Sequence, residues 1–321
     1  MLKVRFINNA DITTTKIDNI TKYHELPKSQ FLDIFMPTIK KYKIVEEYEE
    51  SDICIVGTQH IDNSLLRENE FNIFFTVENF SAGRNHYQHY NKFGRNGNTM
   101  IDLYIYNDIT IPTNNMIPSI LLRISYFNKL TNINNKLYYE KAREFYNKLN
   151  TPFQEKKFCL FISQNMLNPN KEQILNTLCK LGDIDFLHVI AKHNIKLQTA
   201  NCFNSFELLN LFNKYKFIIC FENSKTPGYI TEKIFNVFLS KSIPIYDGDP
   251  EVDKFINNNT YISFDEYTNK KVELLMNNET LYNNIINRDK VKDIDLSFIN
   301  TNFHNILTKK IKNKSSDDNY I

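Results

Sequence analysis

The sequence predicts an α/β protein of two domains, and three observations carry that prediction. Short apolar runs ending in glycine or polar residues, such as 52–57 and 217–221, have the character of buried parallel strands. Segments of helical or loop character separate these runs, which is the layer pattern of α/β folds. The length of 321 residues corresponds to two domains, at roughly 150 residues for each.

The elements follow in chain order. Residues 2–7 alternate enough to form a first strand, and 27–41 have helical periodicity through Phe31, Ile34, Phe35 and Ile39, with Pro37 as an irregularity. Further strands are expected at 52–57, 72–76 and 101–106. Between them, 80–99 is polar and aromatic and carries Gly83, Gly94 and Gly97. It reads as a long loop, a feature that is often functional in a compact domain. Residues 137–149 are charged and helical without a clear apolar stripe, so the linker is placed there, before Pro152. A second α/β unit opens with a strand at 157–163 and a helix from about 171 to 181. A strand at 186–190, a helix at 205–214 striped by Phe206, Leu208, Leu209 and Phe212, and a strand at 217–221 come next. A helix at 230–241 and a strand at 243–246 complete the readable part. The domains are therefore 1–150 and 151–305, with 306–321 as a basic tail containing Lys309, Lys310, Lys312 and Lys314. Fraying is expected from His304 onward.

Composition narrows the function classes. Hydrophobic residues at 42% and charged residues at 24% exclude collagen-like and wholly disordered chains. A net charge of +2, from 39 basic and 37 acidic residues, argues against a nucleic-acid partner. The five cysteines (Cys54, Cys159, Cys179, Cys202 and Cys220) are widely spaced without any C-x-x-C pair. They read as reduced thiols in a reducing compartment, and a cytoplasmic location is expected. The N-terminus has too short an apolar run for a signal peptide, and no stretch approaches the ~20 apolar residues of a transmembrane helix. The basic tail could make weak peripheral contact with an anionic membrane, although a solvated tail is the commoner role of such a run. Three D-x-D triplets (183–185, 247–249 and 293–295) and the His86/His89 pair are the potential metal ligands. Neither pattern makes up a ligand set, so no metal site is expected.

The segment that carries chemistry is FIICFENSKTPGYITEKIFNVFLSKSIPIYDG, residues 217–248. Physically it is one βαβ unit. An apolar strand stops abruptly at Glu222-Asn223-Ser224, Pro227-Gly228 turns the chain, and Thr231 is suited to cap a helix. The buried face of that helix is expected at Ile234, Val237, Phe238 and the stem of Lys241. In open parallel sheets, ligands sit outside the carboxyl ends of strands, where both polar loops of this unit fall. The helix N-terminus offers free N–H groups and partial positive charge to an anion. Lys233 in the first turn is disfavoured by the helix dipole, and a bound anion would explain it. Glu232 is suited to accept from two ribose hydroxyls. With Tyr229, these residues fit a nucleotide diphosphate.

The pattern FxxxFENSxxxGYITEKIxxxxxxxxIPIYxG resembles the signature of the α1,3/1,4-fucosyltransferases, the GT10 glycosyltransferases. Weaker similarity extends to FFTVEN at 74–79, to Asp102 with PSILLRISY at 118–126, and to FISQN at 161–165. The resemblance implies a GT-B architecture, two Rossmann-like domains facing across a cleft. It assigns 1–150 to acceptor binding and 151–305 to GDP-fucose. It implies an inverting transfer of L-fucose from GDP-fucose, without an essential metal or other cofactor. The implied acceptor is a hydroxyl of an N-acetylglucosamine-containing glycan of the Gal-β1,4-GlcNAc type, in α1,3 linkage. By position, Glu78 corresponds to the general base, Asn223 and Tyr229 to donor-site residues, Glu232 to the ribose-binding carboxylate and Lys233 to the diphosphate-binding lysine. Three positions depart from the bacterial members: Val77 replaces Gly, Asp247 replaces Trp, and Lys171 replaces a phosphate-binding Arg. Lysine keeps the charge but not the bidentate fork. Two alternatives remain open: a catalytically silent nucleotide-sugar- or glycan-binding protein, and the same fold using another nucleotide sugar.

Overall fold

A computed structural model describes residues 2–7, 12–13, 26–27, 42–46, 48–57, 65–75, 101–106, 116–118, 146–163, 169–188 and 206–294, together with 120, 121, 124, 127, 301, 304, 305, 307 and 308. Pro27, where a helix was expected to begin, ends a short strand instead, because its ring fixes φ and suits extended backbone as well as a first helical turn; the rest of that expected helix, 28–41, the loop at 80–99 with His86 and His89, and Glu78 lie outside the described residues.

The strands are β1 (Leu2–Ile7), β2 (Ile12–Thr13), β3 (Leu26–Pro27), β4 (Tyr42–Ile44), β5 (Ile53–Val56), β6 (Phe71–Phe75), β7 (Leu103–Tyr106), β8 (Met116–Pro118), β9 (Lys157–Ser163), β10 (Ile184–His188), β11 (Tyr215–Phe221), β12 (Ile243–Asp247) and β13 (Ile262–Ser263). The helices are α1 (Pro169–Leu178), α2 (Phe206–Asn213), α3 (Glu232–Leu239), α4 (Thr268–Met276) and α5 (Glu279–Ile286). Two parallel sheets result. One has six strands in the order β4-β1-β5-β6-β7-β8, and the other has five in the order β10-β9-β11-β12-β13. β2 and β3 form a small parallel pair of their own.

Parallel strands covered on both faces must be apolar nearly throughout. β5 and β6 are accordingly buried at every residue, including Asn72, whose Nδ2 donates to the Arg67 carbonyl at 2.9 Å. The first sheet also contains a fully buried ion pair. Arg5 of β1 donates through Nε to Glu70 Oε1 at 3.0 Å and through a terminal nitrogen to Oε2. Ser51 Oγ, at 2.8 Å, and Arg67, at 3.1 Å, also donate to Oε1. The four groups saturate the carboxylate that leads into β6.

In the second sheet the chain passes from β9 outward to β10, then returns across β9 to β11. This reversal is a topological switch point, and the crevice outside the carboxyl ends of β9 and β11 is where such sheets bind ligands. α3 covers this sheet beside β11 and β12 and is buried from Ile234 to Leu239. Phe127, from the chain that follows the first sheet, packs on Phe235 and Phe238 at ring-centroid distances of 5.4 and 6.2 Å.

Two further expectations need correction. Lys241 does not extend the buried face of α3, because the helix has already ended. Lys241 adopts a left-handed φ of 58°. The Lys241 and Ser242 amides close back on the carbonyls of Phe238 and Val237 at 3.3 and 3.5 Å, which is the pattern of a Schellman cap. Its Nζ donates instead to the Leu149 carbonyl at 2.7 Å. Fraying that begins at His304 is also not what is found among the described residues, whereas the tail from 309 to 321 lies outside them. Leu307 is helical and fully buried in the core with Phe127 and α3, because it supplies apolar surface that this core covers.

Candidate active site

The site grows from the carboxyl end of β11. Phe221 is in register with Asp247 at the end of β12, and the Glu222 amide donates to the Asp247 carbonyl at 2.8 Å. Both strands thus stop at one level, and their loops rise from it together. Glu222 is the first residue past β11, and its side chain is fully buried. An isolated carboxylate there would be costly, but this one is saturated. Thr231 donates to it through its backbone N–H and through its hydroxyl, both at 2.7 Å, and Lys233 Nζ donates at 3.1 Å.

The loop between Glu222 and Thr231 is fixed from two sides. Gly228 adopts a φ of 83°, and its amide donates to Asp249 Oδ2 at 2.9 Å, while Asp249 Oδ1 accepts from the Glu251 amide at 2.7 Å. Burial raises the Asp249 carboxyl above its ordinary range, although these amide bonds oppose the shift. Ser224 and Thr226 share a hydroxyl–hydroxyl bond of 2.7 Å. Lys225 reaches across to Asp247 at 2.5 Å, tying the loop after β11 to the end of β12. Gly248 fits where it does because a Cβ there would meet Glu222 Cγ at 2.5 Å and Tyr246 Cζ at 2.6 Å.

Thr231 caps α3 as its sequence position predicts, its hydroxyl accepting from the Lys233 amide at 3.4 Å. The predicted donor-site residues lie together around this cap. Asn223 is exposed just beyond the strand, Tyr229 is buried two residues before the cap, and Glu232 and Lys233 form the first turn of α3. A cation at a helix N-terminus was expected to require a bound anion. Glu222 changes that account, since its carboxylate supplies the countercharge from within the protein. Burial by itself would lower the Lys233 ammonium's pKa, but Glu222 and Glu232 outweigh it and hold the pKa above its ordinary value. Lys233 therefore stays charged.

Lys171 lies in the first turn of α1, the helix that follows β9, and so on the other side of the switch point from Glu222. Three carboxylates of the D-x-D triplets are in use for the fold. Asp185 accepts from Lys157 at 2.8 Å and from the Tyr215 hydroxyl at 2.7 Å, whereas Asp247 and Asp249 brace the loop as described. Among the described residues, no group of three or more His, Cys, Asp or Glu side chains could hold a metal ion.

Sequence reasoning missed Glu222, Gly248 and Asp249 as parts of the site. Glu222 had a detectable signal, because an acidic residue ended an apolar strand eleven positions before an otherwise unexplained lysine at a helix start. Gly248 had one too, since it closes the IPIYxG end of the motif, whereas Asp249 had none.

Comparisons with known proteins agree with this geometry. A model of glycosyltransferase family 10 (fucosyltransferase), C-terminal part, matches residues 151–316, just over half of the chain. An α-(1,3)-fucosyltransferase of Helicobacter pylori is 42% identical over 57 residues, 18% of this chain and 12% of that protein. Glycoprotein 3-α-L-fucosyltransferase A of Drosophila melanogaster is 30% identical over 136 residues, 40% of this chain and 26% of that protein. The chain thus spans about a quarter or less of these curated relatives. Crystal structures of α1,3-fucosyltransferase, alone and with GDP-fucose, match with TM-scores of 0.62 and 0.60 at 18% identity. They cover 100% of this chain and 93% and 92% of those chains, and they fix the fold as GT-B. With its motif on a GT-B fold and the family model over its second sheet, the chain belongs to glycosyltransferase family 10, the fucosyltransferases.

Proposed function

We propose that the protein transfers L-fucose from GDP-fucose to a hydroxyl of an N-acetylglucosamine-containing glycan, with inversion and in α1,3 linkage. The observation that carries this reading is the Lys233 ammonium, held by Glu222 in the first turn of α3 beside the sheet's switch point. A diphosphate at that place meets a fixed cation, the partial positive charge of the helix and, from α1, Lys171. GDP leaves as an anion as the anomeric bond breaks, so preorganised positive charge there lowers the barrier. The reading assigns Glu232 to the ribose hydroxyls and Asn223 and Tyr229 to the rest of the donor. The acceptor hydroxyl loses its proton as it attacks, and Glu78 takes it as general base. These positive groups do the work that a divalent ion does elsewhere, so the reaction proceeds without metal. Cys54, Cys159 and Cys220 are buried in the cores as small apolar side chains, which supports the reading of a reducing, cytoplasmic setting. Among the described residues, no helix is long and apolar enough to cross a membrane.

The test is donor binding followed by transfer. GDP and GDP-fucose should each raise the melting temperature, because a ligand of the native state stabilises it by mass action. With N-acetyllactosamine present, GDP should be released, and EDTA should leave the rate unchanged. An equal melting shift with UDP-galactose would refute the donor assignment, and loss of rate in EDTA would refute the metal-free mechanism.

A further inference from the structure

We propose that Glu222 is a positioning residue for diphosphate recognition, acting through Lys233 and Thr231 without touching the donor itself. The inference rests on the GDP-fucose reading above and adds a residue that the family resemblance did not assign.

The geometry gives Glu222 two linked tasks. Its Oε1 accepts the Thr231 amide at 2.7 Å. Its Oε2 accepts both the Thr231 hydroxyl at 2.7 Å and the Lys233 ammonium at 3.1 Å. Because the Thr231 hydroxyl spends its only proton on Glu222, its lone pairs must face the Lys233 amide and Nζ, each 3.4 Å away. One carboxylate thereby orients the cap of α3 and the lysine in its first turn. The Lys233 ammonium has three N–H bonds. One goes to Glu222 and one points toward Thr231, which leaves the third for a ligand. The Lys233 side chain is 31% exposed along its length, with its ammonium drawn in toward Glu222, whereas the Glu222 side chain is fully buried and cannot meet a donor directly.

The arrangement also answers a physical difficulty. A free lysine carries much rotamer entropy, and the positive end of α3 would push its ammonium outward. Glu222 overcomes both effects before the donor arrives. It is itself immobilised, since Gly248 lies against its Cγ and the Asp247 carbonyl holds its amide.

The experiment is a double-mutant cycle read by calorimetric GDP titration. Glu222→Gln keeps the volume and the bond from the Thr231 amide but turns an uncharged amide toward Lys233. In the native background it should weaken GDP binding about tenfold, within the usual range for coupled neighbours. In a Lys233→Met background the same change should leave GDP affinity nearly constant. Equal losses in both backgrounds would show that Glu222 merely supports the loop, and no loss in the native background would show that it does nothing for the donor. Either outcome overturns the proposal while leaving the donor reading intact. Failure of the unaltered protein to bind GDP overturns the donor reading, and this proposal falls with it. If Glu222→Gln does not fold, the unaltered protein provides the measurement by ¹⁵N-lysine NMR. The Lys233 ammonium should exchange slowly with water when GDP is bound, and exchange as fast as that of surface lysines would overturn the proposal.

Discussion

Replacing Gly248 with alanine places one methyl group at the most crowded point of the site. The new Cβ would lie 2.5 Å from Glu222 Cγ and 2.6 Å from Tyr246 Cζ, and closer still to the Tyr246 hydroxyl oxygen. Each contact is far inside van der Waals separation, so something must move. The Tyr246 ring is buried and stands edge-on to Tyr261 at 5.9 Å, and its hydroxyl oxygen accepts from the Asp249 amide at 3.2 Å. Glu222 is held by Thr231 and Lys233. Neither neighbour is a loose chain end, so the cost should lie in the upper part of the overpacking range, about 2–3 kcal/mol. Urea unfolding should show a lower midpoint with an unchanged m-value. GDP affinity should fall as well, because displacing Glu222 displaces Lys233. Adding Tyr246→Phe removes the closest contact but leaves the ring carbon and Glu222, so the second change should restore less than half of the lost stability. A loss below about 0.5 kcal/mol, the scale of an ordinary surface change, would refute the reasoning.

Three further outcomes are expected. Glu78→Gln keeps volume but cannot accept a proton, so turnover should fall at least about 10²-fold with GDP-fucose affinity unchanged; near-normal turnover would remove Glu78 from the mechanism. Lys156 is buried and donates to the carbonyls of Asn213 and Lys241; burial, with the Lys241 charge adding to it, lowers its pKa to about 7. Between that pH and its ordinary value of 10.5, the unfolded chain binds the extra proton, so stability from this group rises with pH. Relative to Lys156→Met, the native protein should gain on the order of 2 kcal/mol from pH 6.5 to 9, and parallel urea midpoints would contradict this. At Lys241, with its left-handed φ of 58°, glycine should be more stable than alanine by about 1 kcal/mol, the reverse of the usual order. Both variants lose the bond to Leu149, so comparing their thermal melts isolates the backbone term.

What the sequence determined by itself is the set of features written in neighbouring residues. The apolar run of β11, the Thr231 cap and the buried face of α3 follow from periodicity and capping chemistry within a few positions. The motif at 217–248 placed Asn223, Tyr229, Glu232 and Lys233 in one loop and first turn because chain proximity alone brings them together. The tertiary structure decided what depends on distance in space. Only the strand order β10-β9-β11-β12-β13 puts the start of α1, and so the backbone of Lys171, across the switch point from Glu222. Only the turn at Gly228 returns the chain so that a buried carboxylate meets a threonine nine residues later and a lysine eleven later. The motif ends on Gly248, but the contact that demands a glycine there could not be read, since its neighbour Glu222 lies 26 positions away. Leu307 likewise looked like the start of a tail, because its value comes from a core built by residues near 127 and 235. Hydrophobic and capping preferences act locally and leave a periodic trace. Charge compensation and close packing act through space, and they become visible only once the chain has folded back on itself.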